Sequence, residues 1–162
     1  MGRYYESETG RNGKFAPGKQ PSADPGNFFG MKEMQPNEIT YTLEKDNYDM
    51  VKNKVDGLYD QLKVPKEERI YYMKKEGGEE KLLDLFDKYA YKKVNNAEIK
   101  RYNKLDGFEH QTYYCEEKNK MIIDMFEDAV LCCSRVRLGL VILSDLQDDD
   151  YCELRAELWE DL

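Results

Sequence analysis

The spacing of apolar positions along this chain changes near residue 44, from strand and turn signals to helical ones. Arg3-Tyr4-Tyr5-Glu6 is short, aromatic and strand-favouring. Thr9-Gly10-Arg11-Asn12-Gly13 is a turn cluster, and its Asn-Gly pair tolerates positive φ, so the chain is expected to reverse there. Lys14-Phe15-Ala16 starts a return strand. Pro17-Gly18 interrupts it, which places that strand at a sheet edge. Ser22 to Gly26 reads as a second turn. Ile39, Tyr41 and Leu43 then alternate with Thr40, Thr42 and Glu44, the period of a half-buried strand.

Helices are expected next. Asp46 or Asn47 can cap the first, whose stripe is Met50/Val51, Val55, Leu58/Tyr59 and Leu62. Pro65 suits the first turn of a second helix running through Met73 and closed by Gly77-Gly78. A third, from about Glu79 to Lys92, buries Leu82, Leu83, Leu85/Phe86 and Tyr89/Ala90. A short helix carrying Ile99, Tyr102 and Leu105 ends at Gly107. The clearest pattern lies at 117–144. Ile122, Phe126, Ala129, Cys133, Val136, Leu140 and Leu143 share one face, and Met121, Met125, Val130, Leu131, Val141 and Ile142 widen it. Only Lys120, Asp124, Asp128 and Arg135 keep a polar stripe. Such a helix is central and covered by several neighbours. A coiled coil is the weaker alternative, because the seam lacks ordered flanking charge.

Asp148-Asp149-Asp150 interrupts that pattern. Cys152, Leu154, Ala156 and Leu158 then alternate with Glu153, Arg155 and Glu157, a terminal strand by period. Helix is the alternative by propensity. The expected fold is α+β in one domain over residues 1–162: a strand and turn segment at 1–43, helices over 44–144, and an acidic turn with the terminal strand at 145–162. A small antiparallel sheet of N-terminal strands and the C-terminal strand rests on a helical bundle with one long buried central helix.

Charge narrows the partners. The net charge is -8. Residues 1–36 carry five Lys/Arg against four Asp/Glu, a surplus of +1, so residues 37–162 hold -9. A net-acidic body is repelled by nucleic acid and anionic lipid. The cysteines Cys115, Cys132, Cys133 and Cys152 lack CxxC spacing, and Cys132-Cys133 sits in an apolar helical run, which fits core use in a reducing, intracellular compartment. The apolar runs at 129–133 and 138–143 are too short to span a bilayer, and no secretory leader is read near the start. Met1-Gly2 does not make a myristoylation motif, since Glu6 stands where Ser or Thr is required.

The two ends resemble a loose group of small uncharacterised proteins from large DNA viruses of algae and marine metagenomes. The resemblance is carried by Gly2-Arg3-Tyr4-Tyr5, Gly13-Lys14-Phe15, Gln20-Pro21-Ser22-Ala23-Asp24 and Phe28-Phe29-Gly30. At the other end it is carried by Arg135 through Leu140 and by Cys152-Glu153-Leu154-Arg155-Ala156-Glu157-Leu158. It implies that the ends form one structural unit, in a viral protein of the host cell or virion, and implies no activity. In the similar proteins an unbroken apolar run follows Gly-Lys-Phe; here Pro17-Gly18 cuts it short.

Candidate chemistry is sparse. Gly10-Arg11-Asn12-Gly13-Lys14 lacks the Ser or Thr and the helix that a phosphate-binding loop needs, because Phe15 follows. Asp145, Asp148, Asp149, Asp150 and Glu153 lack the spacing of a calcium loop and read as a solvated acidic turn. His110 is the sole histidine, so zinc chemistry and a Cys115–His110 pair have little support. No catalytic residue, metal or cofactor is therefore assigned. The candidate binding residues are Arg3, Tyr4, Tyr5, Arg11, Lys14, Phe15, Phe28 and Phe29, on the aromatic, mildly basic N-terminal segment. The expected function is non-catalytic: a protein partner bound at this segment and the sheet edge. One alternative is an enzyme or small-ligand binder with a pocket of scattered tyrosines and acids. Another is nucleic acid stacked on the same aromatics.

Overall fold

The computed structural model describes residues 3–7, 14–18, 20–21, 23–35, 40–73, 78–91 and 116–158. The strands are β1 (Arg3–Ser7), β2 (Lys14–Phe15), β3 (Lys32–Gln35), β4 (Thr40–Glu44) and β5 (Tyr151–Leu158). They form one antiparallel sheet in the order β2-β1-β5-β4-β3. The helices are α1 (Asp24–Asn27), α2 (Tyr48–Gln61), α3 (Gly78–Phe86) and α4 (Glu116–Asp148). The architecture is α+β, and the terminal segment is a strand.

Period two explains the sheet. Opposite Tyr5 stand Phe15 and Ala156; Ser7 and Tyr41 flank Leu154, and Leu43 faces Cys152. Tyr5, Tyr41, Leu43, Cys152 and Leu154 are buried and share one core cluster with α2 and α4. The intervening row of Glu6, Arg155 and Thr40, and the row of Lys32, Thr42 and Glu153, lie on the opposite face. Strand β5 is central because two strands lie on each side of it, β1 and β2 on one and β4 and β3 on the other.

Helix α4 has 33 residues, about 50 Å of helix. Its seam from Ala129 through Cys133, Val136, Leu140 and Leu143 is buried, with Val141 and Ile142 beside it. The covering elements belong to this chain. At Gly139 an added Cβ would sit 2.6 Å from Val55 of α2 and 3.1 Å from the Phe29 ring, so the missing side chain lets α2 and the 24–30 segment close onto α4. The stripe expected for α2 is also buried at Val51, Val55, Leu58, Tyr59 and Leu62. Burying each such side chain contributes about 1.5–3 kcal/mol.

Several expectations are corrected. Of the turn expected at 22–26, residues 24–26 lie in the single-turn helix α1, with Pro25 in its first turn, and Ser22 lies outside the described residues. Strand β3 carries no alternating signal, and its ladder to β4 is irregular between Glu33 and Gln35. Asn47 occupies the cap of α2 without a side-chain capping bond, since a 3₁₀ turn at Lys45–Asn47 leads in and the Asn47 amide donates to Glu44 and Asp46. No helix spans 65–73. After a 3₁₀ turn at Lys66–Glu68 the backbone extends, because Ile70, Tyr71, Tyr72 and Met73 are consecutive half-buried apolar positions that a helix would divide between two faces. Gly78 opens α3 instead of closing a helix; a Cβ there would lie 2.9 Å from the Met73 carbonyl oxygen. Helix α3 gives way to a π turn at Asp87–Tyr91, and Leu83 is exposed rather than core. Asp145 is fully buried, not part of a solvated turn. The expected helix at Ile99–Leu105, the 9–13 turn, His110 and Cys115 lie outside the described residues.

Candidate functional site

The N-terminal candidates divide sharply. Tyr5 and Phe29 are core residues, 1 % and 0 % exposed, and offer no binding surface. Phe15 and Phe28 are half-buried. Tyr5 and Phe15 are cross-strand partners with ring centroids 6.0 Å apart, so Phe15 caps the core at the sheet edge. Arg3, Tyr4 and Lys14 occupy strand positions on β1 and β2, and Arg11 lies outside the described residues.

Phe28 belongs to a polar strap over α4. Its ring packs edge-on to Phe29 at 4.9 Å. The Arg135 guanidinium lies 4.5 Å and the Lys54 ammonium 5.1 Å from its centroid. Arg135 also donates from Nε and Nη2 to the two oxygens of buried Asp24, at 2.7 and 3.2 Å. Charge and ring are thus spent on fixing the 24–30 segment.

A second cluster assembles tyrosines and acids. Arg69, its side chain 5 % exposed, donates to Asp56 at 3.2 Å, to Asp60 at 2.5 Å and to the Val64 carbonyl at 2.9 and 3.1 Å. Burial opposes the Arg69 charge, but its bonds to Asp60 and Asp56 outweigh that and raise its pKa. The Tyr71 hydroxyl donates to Asp56, and Lys52 lies 5.1 Å from the Tyr71 ring centroid. Burial, reinforced by Asp56, pushes Tyr71 up to about 12. Tyr59 donates to the Ile70 carbonyl at 2.7 Å and is driven upward by burial. Tyr48 and Tyr72 share a 2.7 Å hydroxyl bond, and burial and that bond raise Tyr48. Beyond them Lys88 and Tyr89 of the π turn both donate to Glu68, which lowers the Glu68 pKa. The raised phenols stay protonated at neutral pH and serve as donors, not bases.

A third cluster is fully internal. Asp145 of α4 accepts from Ser7 of β1 at 2.5 Å and from the Cys152 thiol of β5 at 3.4 Å. Burial and the Asp145 charge raise Cys152 well above the ordinary thiol range. Burial also pushes Cys132 up to about 12, so neither presents a thiolate nucleophile at neutral pH. Cys132, Cys133 and Cys152 are buried.

The remaining surface is the outer face of the sheet. Tyr151, 46 % exposed, stands opposite Glu44, and edge-strand Met34 is 52 % exposed. The outer rows of the sheet also carry Thr42, Glu153, Lys32 and Arg155. Sequence reasoning assigned binding to the N-terminal aromatics and passed over both exposed residues. Tyr151 follows the acidic turn, where the eye goes to charge, and Met34 sits in a strand with no period.

No protein-family model, curated protein or solved structure matches this chain. Among the described residues, no three His, Cys, Asp or Glu side chains converge as a metal-ion set, and no helix is long and apolar enough to cross a membrane.

Proposed function

We propose that this chain is a non-catalytic module that acts by contact with another protein, through the outer face of β3, β4 and β5 and the adjoining N-terminal segment. One observation carries the reading. Within each polar cluster the side chains are bonded to one another as struts, whereas Tyr151 and Met34 remain exposed among mixed charges. Exposed Tyr, Met and Arg are common anchors where proteins meet. The buried thiols support a reducing, intracellular setting, and the resemblance of the two ends supports a viral one. A pocket-based activity has less support, because the tyrosine hydroxyls are already spent on Asp56, Glu68, Ile70 and each other. Nucleic acid has less still, since Phe28 is already occupied by Lys54 and Arg135.

The test is site-specific photocrosslinking in extract of the cells that express the protein. A photoreactive residue replaces Tyr151 or Met34, and the control replaces exposed Gly57, whose added Cβ would meet nothing within 4 Å. One discrete adduct from positions 151 and 34, absent from 57, is the expected result. Adducts from all three positions alike, or from none, would overturn the proposal.

A further inference from the structure

We draw no further inference here: the strongest candidate, the exposed outer face of the sheet around Tyr151 and Met34, belongs to the surface already proposed, and nothing in the structure shows what covers it.

Discussion

Lys63 adopts a φ of 58°, the left-handed region that side chains with a Cβ avoid. The conformation is imposed by how α2 ends. The Val64 N–H bonds to the Tyr59 carbonyl and the Lys63 N–H to the Asp60 carbonyl, the paired closure that usually takes glycine at this position. Buried Val64 and Tyr59 hold that closure in place. Lys63→Gly is therefore expected to stabilise the fold by about 0.5–1 kcal/mol, the relieved strain exceeding the added freedom of the unfolded chain. A urea midpoint that stays or falls would contradict this. Two of the three serines buried among the described residues, Ser7 and Ser134, give a second contrast. Ser7→Ala removes a donor to buried Asp145 and is expected to cost about 1–3 kcal/mol. Ser134→Ala removes only a bond to the Val130 carbonyl four residues back, and is expected to cost about 0.5 kcal/mol or less. Equal losses in chemical denaturation would mean that the Ser7–Asp145 bond carries no special weight. The role of Ser7 was not legible beforehand, because Asp145 reads as part of a solvated acidic turn and its partner Ser7 lies 138 residues away in sequence.

Elements with a sustained period were legible, and those without one were not. The β4 alternation, the α2 stripe and the α4 seam each recur often enough to fix a face, and the α4 seam overrode its flanking charge. Strand β3 has four residues and exposed Lys32, Glu33 and Met34, so only its pairing with β4 defines it. The 65–73 segment misled because Pro65 and the acids after it are genuine helix-start signals, realised only as one 3₁₀ turn. What holds the extended part is side-chain bonding: Tyr59 to Ile70, Arg69 to Val64, Tyr71 to Asp56 and Ser144 to the Met73 N–H. This scaffold has a pH signature. Tyr59 and Tyr71 titrate higher in the folded chain than the ordinary 10, Tyr71 at about 12. Between pH 10 and 12 the unfolded phenols lose protons that the folded ones keep, so fewer protons are bound unfolded and stability falls as pH rises. Below pH 10 both states are protonated and this contribution is flat. Urea midpoints at pH 8, 10 and 11 are expected to drop above pH 10, and Tyr59→Phe is expected to lower the pH 8 value while flattening the decline. An unchanged slope in the variant would separate Tyr59 from the effect.

At the scale of the whole molecule, the strand at the centre of the sheet is the last of the five in sequence order. Strand β5 fills the central place between β1 and β4, so the sheet depends on contacts between the two ends of the chain. The resemblance of the ends implied a shared unit, and period two in 152–158 pointed to a strand, but its central position was not readable from spacing. Centrality depends on Leu154 meeting both Ser7 and Tyr41, a three-body fact that no local pattern encodes. Because β1 and β5 are antiparallel, Arg3 stands opposite Leu158, which brings the two ends of the described chain to about 5 Å between Cα atoms. Residues 159–162 and 1–2, with a few added glycines, are then enough to join Leu162 to Met1 without disturbing the sheet. Ring closure removes conformational freedom from the unfolded chain and little from the folded one, at most roughly 5 kcal/mol for a loop of this size. The cyclised protein is expected to unfold at a higher urea concentration than the linear chain carrying the same glycines, with an unchanged far-ultraviolet spectrum. A cyclised product that is less stable, or that loses its strand signal, would mean that β1 and β5 do not lie side by side, and the central place assigned to β5 would fall with it.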